Sequence, residues 1–213
     1  LPPNNNLFNL KKMKKIVLSM VAVLAVGFAN AQDSGSYGFS KGNILLEGNV
    51  GFSSTNDKNT ETKTSAFEFN PKAGYFLTDK FALGLELGIG SDKEEVAGTD
   101  TDKNSNFNVG VFGRYYFLDL GQRFKTYAEA GVGLANGKDG LGEFKYTGVE
   151  FGAGLGINYF VSDSFAINFG LTDILGYSSK KYKDAEAVSE FDANFNVFNN
   201  FFTEAKFGLT YKF

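Results

Sequence analysis

From Ile44 to the last residue, large apolar side chains recur at every second position in eight stretches: residues 44–53, 67–75, 81–90, 107–117, 125–134, 149–159, 165–171 and 202–213. The third is the clearest. Phe81, Leu83, Leu85, Leu87 and Ile89 alternate with Ala82, Gly84, Glu86, Gly88 and Gly90. A period of two is that of a strand, and no helical period of useful length interrupts it. One face is bulky and apolar throughout. The other mixes glycine and alanine with Glu, Lys, Arg and Asn.

That distribution decides which face is inside. A soluble sandwich or barrel turns its large apolar residues inward and leaves no use for charges on an enclosed face. Here the small and charged face suits the bore of a narrow closed barrel, and the bulky face suits a wall against lipid. Connections alternate strictly between short and long. Residues 77–80, 118–123 and 161–164 are short. "STNDKNTETKT", "SDKEEVAGTDTDKNS", "NGKDGLGE" and "YSSKKYKDAEAVSEFDA" are expected to form long polar extracellular loops. The predicted fold is all-β: an eight-stranded antiparallel up-and-down transmembrane β-barrel over 42–213, preceded by a cleavable signal helix.

The segments ahead of the barrel divide three ways. Residues 1–12 have no periodicity and read as upstream non-native or disordered sequence. Residues 13–31 have two lysines, an apolar run from Ile16 to Phe28, and Ala29-Asn30-Ala31 before Gln32, the layout of a signal peptide with cleavage between Ala31 and Gln32. Residues 32–41 form a short periplasmic lead-in. Of 21 basic and 24 acidic side chains, four lysines and no acid lie before that site, leaving a balance of about −7. Such a chain is not expected to bind nucleic acid.

Composition narrows the chemistry. There is no His and no Cys, which removes imidazole bases, thiol nucleophiles and the usual soft metal ligands. "DTDKNS" from Asp100 starts like a calcium loop but has Ser105 at the sixth position and Val111 at the twelfth. "GAGLG" from Gly152 lies within a strand and precedes no helix, unlike a phosphate loop. No catalytic residue, metal ligand or cofactor is expected. On the inner face, Glu47, Lys72, Glu86, Arg114, Glu129 and Lys206 fall near one level, with Glu68, Glu150 and Glu204 higher, so an interior ion-pair network that plugs the bore is expected. Aromatics beside the short turns (Tyr75, Phe76, Phe81, Tyr115, Tyr116, Phe117, Phe124, Tyr159, Phe160 and Phe165) are expected to form a periplasmic girdle.

"YFLTDKFAL" from Tyr75 recurs as "YFVSDSFAI" from Tyr159, and the chain closes on "FGLTYKF". With the segment from Met13 to Ala31, these motifs resemble the small outer-membrane β-barrel family, similar to the OmpA transmembrane domain and OmpX and often called the porin family. The resemblance covers essentially the whole chain after the signal. It implies a Gram-negative type outer membrane, a monomer, contacts with membrane lipid and lipopolysaccharide, and passage through periplasmic chaperones and the barrel-assembly machinery. It also implies that Phe207, Leu209, Tyr211 and Phe213 are the signal read on insertion. OmpA-like proteins often continue into a peptidoglycan-binding domain. Ending at Phe213, this chain is not expected to carry that tether. The role implied is structural or surface-interacting. The alternative is a narrow OmpW-like channel for small solutes or hydrophobic compounds. A lipid-modifying enzyme fits less well, since similar catalysts rely on His.

Overall fold

The computed structural model describes residues 37–194 and 206–213. Among these, every regular element is a strand: β1 (Ile44–Asp57), β2 (Thr62–Phe76), β3 (Phe81–Val96), β4 (Thr99–Leu120), β5 (Phe124–Asp139), β6 (Phe144–Phe160), β7 (Phe165–Tyr182), β8 (Val188–Ala193) and β9 (Lys206–Lys212). Strands β1 to β7 pair each with the next, antiparallel; β9 pairs with both β7 and β1 and closes the sheet into a barrel. β8 and β9 occupy the eighth wall position in turn. β8 pairs with the far half of β7 and β9 with the near half. Between the pairs Leu175↔Ala193 and Gly170↔Lys206, β7 covers five residues while the opposite chain covers thirteen. The strand expected from residue 202 falls partly on residues outside the described set.

Closure follows from backbone chemistry. A sheet edge in an apolar medium leaves its N–H and C=O groups unpaired, and a closed ladder removes the edge. The alternation of the sequence sets which side is the wall. Cross-strand neighbours Leu85, Val111, Val132, Phe151, Tyr177 and Phe191 form one continuous outward row over six strands, and each is at least 40% exposed. Their sequence neighbours Gly84, Phe112, Gly131, Gly152 and Gly176 face the bore. Bulky inward residues lie over glycines on the paired strand: Phe112 over Gly84, Tyr127 over Gly156 and Tyr146 over Gly137. A β-carbon at any of these glycines would collide with the ring, so glycine here makes room for neighbouring bulk.

The expected long loops are corrected. Most of their residues are strand: β1 and β2 run on to a turn at 58–61, β5 and β6 to one at 140–143, and β3 and β4 to a two-residue turn at Ala97 and Gly98. Both residues of that last turn have positive φ, 49° and 78°, the geometry that matches the twist of a tight hairpin. Alternation fades in these segments because both faces meet water, so no hydrophobic stripe marks strands that backbone ladders still hold.

Candidate functional site: the barrel interior

Glu47 on β1 and Arg114 on β4 meet across the bore. The guanidinium donates through Nη2 to Oε1 and through Nη1 to Oε2, both at 2.8 Å. Arg114 Nε donates to Glu129 Oε2 on β5 at 2.6 Å. Lys72 on β2 bridges Glu129 and Glu86 on β3, the latter at 2.9 Å. The rest of the layer is neutral. Glu47 Oε2 also accepts from Asn168 Nδ2 on β7 at 2.7 Å and from Thr210 Oγ1 on β9 at 2.8 Å. Asn158 on β6 donates to Thr210 Oγ1 at 3.0 Å and accepts from the Tyr116 hydroxyl at 2.7 Å. All eight wall positions thus supply a residue to one hydrogen-bonded layer.

Burial makes that layer coherent. Arg114 is 1% exposed and Glu47 6%. Withdrawing two ions from water costs several kcal/mol each, and the cost is offset only when their lone pairs and protons are all engaged. The bidentate geometry, the Asn168 and Thr210 donors and the Tyr127 ring 4.0 Å from the guanidinium carbon supply that engagement. Asn158, Asn168 and Thr210 were not singled out from sequence. The signal was their inward parity, since each is a polar side chain on a bore-facing position otherwise given to small residues.

The other expected members lie elsewhere. Glu68 and Glu150 line a cavity of about 450 Å³ above the layer, where Glu68 accepts from Asn70 at 2.6 Å and Glu150 from Asn108 at 3.5 Å. Glu204 and the side chain of Lys206 lie outside the described residues, as do Ala29, Ala31 and Gln32. Phe207 and Leu209 are exposed along β9 and Phe213 just past its end, and the rings of Tyr211 and Phe213 stand 4.6 Å apart. Among the described residues, no group of three or more acidic, His or Cys side chains is arranged to hold a metal ion.

Below the layer is an aromatic floor, and here the girdle expectation needs correction. Phe76 and Phe160 are fully buried and Tyr116 is 5% exposed; all three face the bore. Phe165 is also covered, although its parity is that of the wall. Each doublet (Tyr75-Phe76, Tyr115-Tyr116, Tyr159-Phe160) sends its first ring outward and its second inward, as strand alternation requires. Tyr75, Tyr115, Phe117 and Phe124 remain exposed outside, with Phe81 and Tyr159 partly covered. The lead-in closes this end. Phe39 stacks on Phe76 at 4.3 Å and 13°, with Tyr116 and Phe160 at 5.0 and 5.3 Å. Lys212 Nζ donates to the Gly38 carbonyl and Asp79 accepts from the Lys41 amide, each at 2.8 Å.

A closed barrel with ions in its bore and a continuous apolar exterior is the arrangement of an outer-membrane wall. The family model for the outer membrane protein beta-barrel domain matches residues 19–213. The chain belongs to that family. This outer-membrane barrel is similar to OprG from Pseudomonas aeruginosa over 83% of its own length and 98% of that chain, at 16% identity and a TM-score of 0.50. Neisserial surface protein A is similar over 80% and 96%, at 17% identity and 0.44. Escherichia coli outer membrane protein W follows over 82% and 99%, at 16% and 0.39. At such identities the likeness is one of fold. No curated protein matches the sequence. Membership places the barrel in the outer membrane, so its exposed leucines, valines and phenylalanines face acyl chains.

Proposed function

We propose that this outer-membrane barrel is a closed structural or surface-presenting wall element, with no catalytic role and no open pore. The observation that carries the reading is the Arg114–Glu47 pair, buried in the bore within a layer to which every wall position contributes. Eight strands leave a bore that side chains can fill. Charges gripped in this way resist solute passage, and the Phe39 stack adds a second barrier on the short-turn side. The lack of His argues against the lipid-modifying chemistry of similar barrels.

The test is single-channel recording of the purified full chain in a planar bilayer. The expected trace is silent at moderate voltage. Large, stable openings of the unmodified protein would overturn the closed-bore reading. They would favour the second one, a narrow passive channel. Support for that alternative comes from the cavity of about 450 Å³ above the layer, lined by Glu68, Glu150 and Asn108.

A further inference from the structure

The barrel closes on its shortest ladder. Among the described residues, β9 pairs with β1 over five positions, from Leu45↔Lys212 to Asn49↔Gly208, and with β7 over six. The β1–β2 and β5–β6 ladders have fourteen and sixteen. At the short-turn end of the seam, the Ile44 amide donates to the Phe213 carbonyl at 3.1 Å and the Phe213 amide to the Ile44 carbonyl at 2.9 Å. On the other side of β9, the Lys212 amide donates to the Ser164 carbonyl at 2.7 Å. A ladder this short frays unless something outside it ties its strands together.

The lead-in ahead of β1 supplies that tie. A turn over Ser40 to Asn43 reverses the chain: the Asn43 amide donates to the Ser40 carbonyl at 3.0 Å, the Ser40 amide donates to Asn43 Oδ1 at 2.7 Å, and Gly42 takes a φ of 91°. Residues 37–39 therefore run back under the floor. Phe39 enters a nest made by Phe76, Tyr116 and Phe160, from β2, β4 and β6. No two of these strands are neighbours in the sheet, so their inward rings converge on one point only once the sheet has curled closed. The preceding residue crosses the seam. The lead-in is continuous with β1, and its Gly38 carbonyl accepts from Lys212 Nζ of β9 at 2.8 Å. The Lys125 stem on β5 packs beside Gly38, where a β-carbon would stand 3.1 Å from it. The Tyr37 ring lies 4.6 Å from the Arg123 guanidinium carbon, and Arg123 Nη1 donates to the Val161 carbonyl at 3.1 Å. One short segment thus engages five strands and, with Asp79 and through Arg123, all three short turns.

We infer that the lead-in is a closing strap, which docks only on the closed barrel and holds the β1–β9 seam shut. A group that binds one of two states shifts their balance by its differential affinity, and attachment to β1 keeps the strap at a high effective concentration beside its nest. Because the nest exists only after closure, the strap slows opening of the finished barrel more than it speeds closing. A cork that merely filled the floor would need only the Phe39 ring. The bond from Lys212 to Gly38 adds what a cork does not use, a link between the two strands of the seam. The inference concerns the wall and not solute passage, so conductance recordings and the following experiment fail independently.

The full chain, refolded into phosphatidylcholine nanodiscs, is compared with Phe39→Ala and Lys212→Met by amide hydrogen exchange read by NMR. In both variants the amides of residues 212 and 213 are expected to exchange about tenfold faster than in the unmodified protein. The amides of Tyr116 and Phe160, which bond the Lys80 and Arg123 carbonyls at the ends of the β3–β4 and β5–β6 ladders, should change less than about twofold. Those two residues carry rings that hold Phe39, so acceleration confined to the seam separates a strap from loss of nearby packing. The control Lys80→Gln, at an exposed turn, exchanges as the unmodified protein does. Heat-modifiable gel mobility verifies folding; should Phe39→Ala not fold, Phe39→Leu takes its place. Equal acceleration at all four amides would assign Phe39 to general packing and overturn the inference. No acceleration at residues 212 and 213 in either variant would make the segment a cork alone and overturn it too.

Discussion

Glu47 and Arg114, 67 residues apart in the chain, form two parallel hydrogen bonds of 2.8 Å at the centre of the barrel. Nothing local brings them together. They meet because closure places β1 and β4 on opposite sides of a bore narrow enough for two side chains to span. The same pair fixes strand register, because slipping either strand by one residue would turn its ion into the lipid-facing wall.

Arg114→Met should destabilise the barrel by about 3–5 kcal/mol, because the Glu47 carboxylate then stays buried without its cation. E47L/R114M should lose less than R114M alone, since no charge is stranded. Urea unfolding in lipid vesicles, followed by heat-modifiable mobility, measures both. Strict additivity of the two single changes would refute the coupling.

Glycines under inward rings should differ according to how far the ring can retreat. Gly156 lies under Tyr127, which is itself held beneath Arg114, so Gly156→Ala should cost about 1–3 kcal/mol. The nearest atoms to a β-carbon at Gly137 belong to Tyr146, which borders the open mouth cavity rather than the ionic layer. The cost of Gly137→Ala should be clearly smaller in the same unfolding assay, and equal costs would disprove the account.

At the hairpin tips, the hydrogen bond from Lys93 holds the Glu95 carboxyl below its ordinary value. A carboxyl depressed in the folded state contributes stability above its unfolded pKa and loses it as pH falls through the folded one. The β3–β4 hairpin should therefore loosen only on the acid side of the usual glutamate range. Carbon-13 NMR titration of Glu95 is expected to show a higher midpoint in Lys93→Gln. An unchanged midpoint would remove the assigned cause.

Part of this was legible in the sequence. The orientation of Leu85, Val111 and Phe151 toward lipid, and of Glu47, Lys72, Glu86, Arg114 and Glu129 toward the bore, follows from parity alone. Parity also contained the fates of Phe76, Tyr116 and Phe160, but grouping them with their exposed neighbours as a girdle ignored it. The extensions of β3 and β4 to Ala97 and Gly98 were not legible. Above the membrane both faces of a strand are wet, and a backbone ladder leaves no trace in side-chain pattern.

The sequence by itself determined the strand period, the face given to lipid and the inventory of ions on the other face, because each follows from alternation of side chains along a single strand. Tertiary structure decided which ions meet, that Asn158, Asn168 and Thr210 complete their shell, and that Phe39 folds back under the floor. Those relationships depend on register and closure between segments far apart in the chain, and a period of two repeats identically whatever the neighbouring strand's offset.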